Sequence, residues 1–297
     1  MSYKLKNSNL EVQIDAPLKN YRSPRFDWTG KIVSIKFKKN LVTTIENKTA
    51  DKDLFYGKGL YNEFGIDSPL GFNEAKSGDW FHKIGIGLLK KDHNQYKFDN
   101  DYKIKPATFS VSKKTNTILI KCTSDCINGY SYVLTKEIKL FGRKLVIEYS
   151  LQNTGEKIIT TDEYTHNFIA MNKSLSKPNY LLKFPFQLKP LLFEENVNPE
   201  KKVLLEPSQI AFQSSPKKQY FFSNLSGGES VKASWELINQ QTCIGIKETG
   251  NFETTKINLW GWEHVISPEL FIHIEIPPHE TQQWSRTYDF YQDVSIQ

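Results

Sequence analysis

Apolar and polar residues alternate along much of the chain. Leu270, Ile272, Ile274 and Ile276 form one apolar row, and the residues between them form a second row. Because successive side chains of a β-strand point to opposite faces, this alternation predicts a strand with one face in a core. The same reasoning predicts strands over residues 10–14, 33–37, 107–112, 117–123, 130–140, 145–149, 231–237, 243–247 and 282–290.

Turn-forming residues separate the predicted strands, for example Asn128-Gly129, Gly227-Gly228 and Pro277-Pro278. No run with a helical period is longer than about three turns. Short strands with turns throughout indicate an all-β sandwich or barrel. No linker rich in Gly, Ser or Pro divides the chain, and large β-sandwiches reach this size, so we expect a single domain over residues 1–297.

The stretch 55–89 does not follow this pattern. It combines many glycines with polar and aromatic residues, among them Tyr56, Asn62, Asp79 and Trp80. A long irregular segment in a compact β-domain is usually a functional loop system, and the alternative is a surface excursion with local packing. We therefore predict a functional loop system here.

Composition narrows the classes of protein to consider. Hydrophobic residues make up 38% of the chain and aromatic residues 13%, which is enough for a sizeable core. The net charge of +6 comes from scattered lysines, and only four residues are arginine. A nucleic-acid-binding protein more often carries a stripe of Lys and Arg, so we expect a solvated surface and no nucleic-acid partner.

The three cysteines, Cys122, Cys126 and Cys243, are an odd number, which argues against a disulfide framework. No second Cys or His pair stands near Cys122 and Cys126 with zinc spacing, so we expect no metal. We expect ordinary thiols in a reducing compartment and a cytoplasmic location. The first residues contain no apolar signal segment, and no stretch approaches the roughly 18 apolar residues of a membrane span, so no membrane partner is expected.

Candidate chemistry begins with His166. Phosphate-binding loops, dinucleotide motifs, zinc motifs and Gly-x-Ser-x-Gly are absent from the sequence. In a strand, Tyr164, His166 and Phe168 share one face. An imidazole between two aromatic rings can contact a sugar ring and donate a proton near neutral pH. The alternative is a half-buried strand histidine that is bonded to a neighbour.

Two segments resemble a known family. Asn153-Thr154-Gly155 is followed by a polar strand and then by His166-Asn-Phe-Ile-Ala-Met-Asn172, and a second segment, 277–290, lies near the end of the chain and finishes in Tyr-Asp-Phe. This order is similar to that of the aldose 1-epimerase (galactose mutarotase-like) family, although Pro278-His279 stand where Gly is common. The resemblance implies a β-supersandwich of two or more large antiparallel sheets, with a sugar-binding cleft on one sheet.

The resemblance also implies catalytic residues. His166 corresponds to the family's acid, and the family's base is a Glu on a late strand. Glu263, between Trp260 and Trp262, fits best, and Glu269 is the rival. A carboxylate in a partly dry aromatic pocket has a raised pKa and becomes a usable base. The alternative for Glu263 is a strand-end carboxylate held by His264 or by a lysine.

Further candidates for substrate binding are Arg22 and Arg25, which lie beside large aromatic residues. The forked donors of arginine suit vicinal hydroxyls or a phosphate, and the alternative is a pair of surface ion pairs. A loose similarity to the family's early binding region adds His82. Trp262 and Glu269 complete the expected binding residues.

These features favour an aldose 1-epimerase with His166 as acid and Glu263 as base, a reaction that needs no cofactor. One alternative is a hexose-6-phosphate 1-epimerase, with Arg22, Arg25 or Lys83 on the phosphate. The other is a non-catalytic carbohydrate-binding module, in which His166 and Glu263 would lie too far apart to act together. The expected partner is a monosaccharide or a sugar phosphate, and the expected assembly is a monomer or a weak homodimer.

Overall fold

A computed structural model describes residues 2–48, 56–171 and 177–292. In these residues the chain forms 23 β-strands, two short 3-10 turns at Lys177–Asn179 and Pro190–Leu192, and no α-helix. The strands are β1 (Ser2–Lys6), β2 (Leu10–Asp15), β3 (Lys31–Phe37), β4 (Asn40–Leu41), β5 (Leu60–Phe64), β6 (Trp80–Lys83), β7 (Gly87–Lys90), β8 (Ile104–Pro106), β9 (Thr108–Lys113), β10 (Thr117–Thr123), β11 (Tyr132–Phe141), β12 (Lys144–Asn153), β13 (Ile159–Asn167), β14 (Tyr180–Lys183), β15 (Asn196–Val197), β16 (Val203–Glu206), β17 (Gln209–Phe212), β18 (Tyr220–Phe222), β19 (Val231–Asn239), β20 (Ile244–Thr254), β21 (Ile257–Trp262), β22 (Val265–Ile276) and β23 (Thr281–Gln292).

The strands form two large antiparallel sheets and one small sheet. The first sheet has ten strands in the order β1-β2-β3-β5-β13-β22-β21-β18-β15, with β4 paired to β3. The second sheet also has ten strands, in the order β16-β17-β14-β19-β20-β23-β12-β11-β10-β9. Strands β6, β7 and β8 form the small sheet. The predicted all-β supersandwich is therefore confirmed.

The core lies between the two large sheets. Leu270, Ile272, Ile274 and Ile276 of β22 are all buried, as their alternation predicts, and they belong to one apolar cluster that runs from Leu5 to residues of β23. Burying such side chains is the main favourable contribution to folding. The single domain predicted over residues 1–297 stays a prediction, with this shared core in its favour.

The inner faces of the two sheets also share buried charges. Arg286 of β23 donates from Nη2 to Glu163 of β13 over 2.7 Å and from Nη1 to Glu248 of β20 over 2.8 Å. All three side chains are fully buried. Buried charges are tolerated only when they are paired and hydrogen-bonded, so this cluster ties the two sheets together in one arrangement.

Most predicted strands lie within a few residues of the observed ones, and the segment 55–89 is the main difference. Its described part contains β5, β6 and the start of β7, so the prediction of an irregular segment is wrong at these strands, whereas residues 65–79 and 84–86 are irregular as predicted. Phe55 lies outside the described residues, and the functional role of the segment stays a prediction. Strand β5 is buried at every position, and full burial on both faces removes the apolar–polar alternation that identifies a half-exposed strand. No helix within residues 2–48, 56–171 or 177–292 is long and apolar enough to cross a membrane.

Candidate active site

A cleft of about 760 Å³ lies on the face of the first sheet that points away from the core. Alternation places every second residue of the central strands on this face. The floor therefore carries Tyr164 and His166 of β13, Glu269 and Phe271 of β22, and Trp260 and Trp262 of β21. A concave site with aromatic walls and a few convergent polar groups is the usual form of a small-molecule site.

Strand pairing brings His166 and Glu269 together. Tyr164 lies opposite Phe271, and Ile169 lies opposite Ile266, so the common register places His166 opposite Glu269. The distance from His166 Nδ1 to Glu269 Oε1 is 3.2 Å. Ser267 lies beside both residues, with its Oγ 2.6 Å from His166 Nδ1 and 3.3 Å from Glu269 Oε1. The three side chains form one hydrogen-bonded group.

The ring of His166 is fixed by its aromatic neighbours. It stacks on Phe168, with 4.2 Å between ring centroids, and meets the edge of Trp260 at 5.2 Å. No described residue forms a hydrogen bond with His166 Nε2 or with Glu269 Oε2, and both atoms are open to the cleft. A bound molecule would thus meet one ring nitrogen and one carboxyl oxygen side by side.

Burial changes the protonation of this pair. It raises the pKa of Glu269 to about 8, and the nearby Arg25 opposes that shift only in part. Burial, together with the positive charge of Arg25, holds the pKa of His166 well below its usual range. Near neutral pH the pair therefore shares one titratable proton, in addition to the N–H that a neutral imidazole keeps, which makes one donor and one acceptor available together.

Arg25 lies at the side of the cleft and is held by two carboxylates. Its Nη1 donates to Glu46 Oε1 over 2.8 Å, and its Nε donates to Glu63 Oε2 over 3.1 Å. Glu63 also accepts from Tyr164, whose hydroxyl lies 2.8 Å from Oε2, and pairs with Lys83 at 3.2 Å. The guanidinium is thus already paired with two protein carboxylates before any ligand arrives.

The structure brings some of the predicted site residues together and leaves others apart. His166, Glu269, Arg25 and Trp262 line the cleft. Glu263 does not, because it occupies the turn between β21 and β22, and the preference for Glu263 over Glu269 is not supported by this placement. The carboxylate that does meet His166 is that of Glu269, which lies within strand β22.

Arg22 and His82 also lie outside the cleft lining. Arg22 is exposed, whereas Arg25 three residues later is buried. His82 is on β6 in the small sheet and packs against the ring of Tyr132 at 5.8 Å. Burial lowers the pKa of His82 to about 4, so it is a neutral, packed histidine near neutral pH. Neither placement supports a role in substrate binding.

Sequence reasoning missed Ser267 and Glu46, and it included Glu63 only as one of the polar residues of the stretch 55–89, without a role of its own. A signal for Ser267 was present, since the alternation of β22 puts Ser267, Glu269 and Phe271 on the face opposite Leu270. No sequence pattern marks Glu46 or Glu63, because they approach Arg25 from loops and strands that only the fold brings together. Among the described residues, no group of three or more His, Cys, Asp or Glu side chains is arranged to hold a metal ion.

No protein-family model matches the chain, and no curated protein matches it in sequence. Solved structures do match over nearly its whole length. A galactose mutarotase-like protein from Lactobacillus casei has a TM-score of 0.62 at 14% identity and covers 98% of this chain and 100% of its own. A galactose mutarotase related enzyme from Lactobacillus acidophilus has a TM-score of 0.61 at 10% identity and covers 98% of each chain.

A third structure, a galactose mutarotase-like protein from Clostridium acetobutylicum, has a TM-score of 0.56 at 10% identity and covers 98% of this chain and 95% of its own. At these identities the likeness establishes the fold. The chain has the galactose mutarotase-like fold, as the sequence resemblance implies. A fold of this kind can carry more than one activity, so the function has to be argued from the site.

Proposed function

We propose that the protein is an aldose 1-epimerase, which interconverts the α and β anomers of a sugar. The observation that carries this proposal is the His166–Glu269 pair, 3.2 Å apart, with one open nitrogen and one open oxygen on the floor of the cleft. Glu269 takes the role that the sequence assigned to Glu263. The galactose mutarotase-like fold of the neighbours supports the same activity.

The reaction needs one proton donor and one proton acceptor that reach neighbouring oxygens. The ring oxygen and the anomeric oxygen are both bonded to C1, so adjacent side chains suit them. One member of the pair protonates the ring oxygen while the other takes the proton of the anomeric hydroxyl, and the bond from C1 to the ring oxygen breaks. After rotation about C1–C2, the reverse transfers close the ring on the other face and return both protons.

Proton exchange within the pair lets either residue begin as the acid. The shared proton rests on Glu269 in the free protein, since the pKa of Glu269 is raised to about 8 and that of His166 is lowered. The short contact between Nδ1 and Oε1, with Ser267 beside it, provides a path for this proton. His166 can then act as the acid, in the role that the family resemblance gives it.

A neutral sugar suits the cleft better than a sugar phosphate. The lining includes six carboxyl side chains, from Glu46, Asp67, Asp99, Glu194, Glu195 and Glu269, against the cations Arg25 and Lys256. Arg25 is engaged by two carboxylates, and Lys256 lies 3.4 Å from Asp67. Even without Glu269, which holds its proton near neutral pH, a phosphate would meet more carboxyl groups than cations, which favours the aldose over the hexose 6-phosphate as substrate.

The test is polarimetry on freshly dissolved glucose, galactose and related aldoses. His166→Ala and Glu269→Gln should each lower kcat/KM by at least roughly a hundredfold, the usual contribution of a positioned acid or base. Glu263→Gln is the matched control and should keep wild-type activity, because Glu263 is outside the cleft. Unchanged rates in the first two variants, with circular dichroism showing an intact fold, would remove this pair from the mechanism.

A further inference from the structure

The cleft is larger than one sugar ring requires. At about 30 Å³ for each water molecule in the liquid, a cavity of 760 Å³ corresponds to roughly 25 waters. A hexose has about twelve non-hydrogen atoms, each of which takes up less space than a water molecule, so one ring would replace less than half of that volume. Most of a bound ligand's surface is normally buried in its site, so a single ring at His166 and Glu269 would leave unused space.

The unused space extends in one direction. The floor crosses from β13 over β22 and β21 to β18, and neighbouring strands lie about 4.8 Å apart, so it extends for roughly 14 Å. The acid/base pair lies at the β13–β22 end. Beyond it, Trp260 of β21 lies directly opposite Phe221 of β18, and both half-buried rings border the cleft.

Polar groups accompany these two rings. Asn258 lines the cleft two residues before Trp260 on the same face, and its Oδ1 accepts from the backbone of Asn224, which fixes the side chain. At the far rim, Glu195 lies beside Ser223 and is tied to it twice: Glu195 N donates to Ser223 Oγ over 2.8 Å, and Ser223 N donates to Glu195 O over 3.1 Å. Aromatic faces with a fixed amide group and an exposed carboxylate beside them suit an uncharged carbohydrate ring.

We infer that the cleft binds at least a disaccharide, with the reducing unit at His166 and Glu269 and the next unit on the Trp260–Phe221 platform. This inference rests on the proposed function for the orientation of the sugar, because only a reducing end offers a free anomeric hydroxyl. The ligand it names is an uncharged di- or oligosaccharide, in keeping with the many carboxyl groups of the lining.

The experiment compares α- and β-linked reducing disaccharides of glucose and galactose with the free monosaccharides. Polarimetry on the wild-type protein should give a kcat/KM at least about tenfold higher for one or more of the disaccharides, equivalent to about 1.4 kcal/mol. In Phe221→Ala, the ratio of kcat/KM for the disaccharide to kcat/KM for the monosaccharide should fall close to one. Phe141→Ala removes an exposed phenylalanine that does not line the cleft and should keep the wild-type ratio.

Calorimetric titration of Glu269→Gln with the same sugars separates this inference from the proposed function. Tighter binding of a disaccharide than of its monosaccharide supports the extended site even if no sugar is mutarotated, in which case the epimerase proposal alone fails. Equal affinity and equal kcat/KM for disaccharides and monosaccharides would overturn the extended site while leaving the epimerase in place. Absence of both binding and mutarotation would overturn both.

Discussion

Two buried carboxylates, Glu163 and Glu269, lie on opposite faces of the first sheet, and their hydrogen bonds differ. Glu163 faces the core, where Arg286, Trp284 and Asn62 donate to its two oxygens. Glu269 faces the cleft, where Ser267 and His166 lie against Oε1 while Oε2 has no partner among the described residues. Both side chains are almost completely buried.

The difference separates a carboxylate bonded into the core from one with the features expected of a reactive group. Glu163 has a donor on each oxygen, one of them the cation Arg286, so its charge is compensated, and it faces the core where no ligand can reach it. Glu269 has no cation bonded to it, and burial raises its pKa to about 8. A perturbed carboxyl group with an open oxygen in a cleft is the pattern of a functional site, and burial alone does not produce it.

The largest expected effect is on the core cluster. Arg286→Met leaves Glu163 and Glu248 buried without their cation, and breaking a buried pair in this way should lower the free energy of unfolding by about 3–5 kcal/mol. The measurement is chemical denaturation followed by circular dichroism. Arg143→Met is the control, because Arg143 pairs with Asp289 at the surface and should cost no more than about 1 kcal/mol. Similar losses in the two variants would mean that the buried cluster contributes little to stability.

A smaller effect, with a defined dependence on pH, is expected for Glu269→Gln. The pKa of Glu269 is raised from 4.5 to about 8 on folding, so its contribution to stability is fully present below about pH 4.5 and is lost as the pH rises towards 8. At about 1.4 kcal/mol for each pH unit while Glu269 stays protonated, and less near its folded pKa, the wild-type protein should lose roughly 2 kcal/mol relative to the variant between about pH 6 and pH 8.

Unfolding by urea at a series of pH values tests this prediction. The glutamine cannot ionise, so the variant should show a flatter profile and should be the more stable protein at the alkaline end. Glu163→Gln provides a contrast within the comparison, since it removes a paired charge and should destabilise the protein at every pH in this range. A wild-type profile parallel to that of Glu269→Gln would show that Glu269 is already ionised in the folded protein.

The smallest effect concerns charge in the cleft. The wild-type protein should have a kcat/KM for glucose at least about tenfold higher than for glucose 6-phosphate, because the phosphate meets an excess of carboxylates. Arg22→Gln should change neither value, since Arg22 is exposed and outside the lining. Polarimetry with both sugars decides the point. An equal or reversed preference would restore the sugar-phosphate alternative.

The sequence by itself determined the strands and the faces of several of them. Alternation is a property of the local backbone, so Leu270 and Ile272 were assigned to a core without knowledge of any partner, and the structure agrees. It also placed His166 on one face with Tyr164, and both residues now line the cleft. The motifs around His166 and the chain end were enough to indicate the galactose mutarotase-like fold.

Only the tertiary structure decided which groups meet. The choice between Glu263 and Glu269 depended on where the hairpin between β21 and β22 turns and on the register of β22 against β13. Arg286 and Glu163 are 123 residues apart, and Arg25 and Glu63 are 38 residues apart, so no local pattern relates them. Side-chain direction follows from the geometry of neighbouring residues, whereas pairing, burial and the resulting pKa values depend on segments that are distant in the sequence and adjacent only after folding.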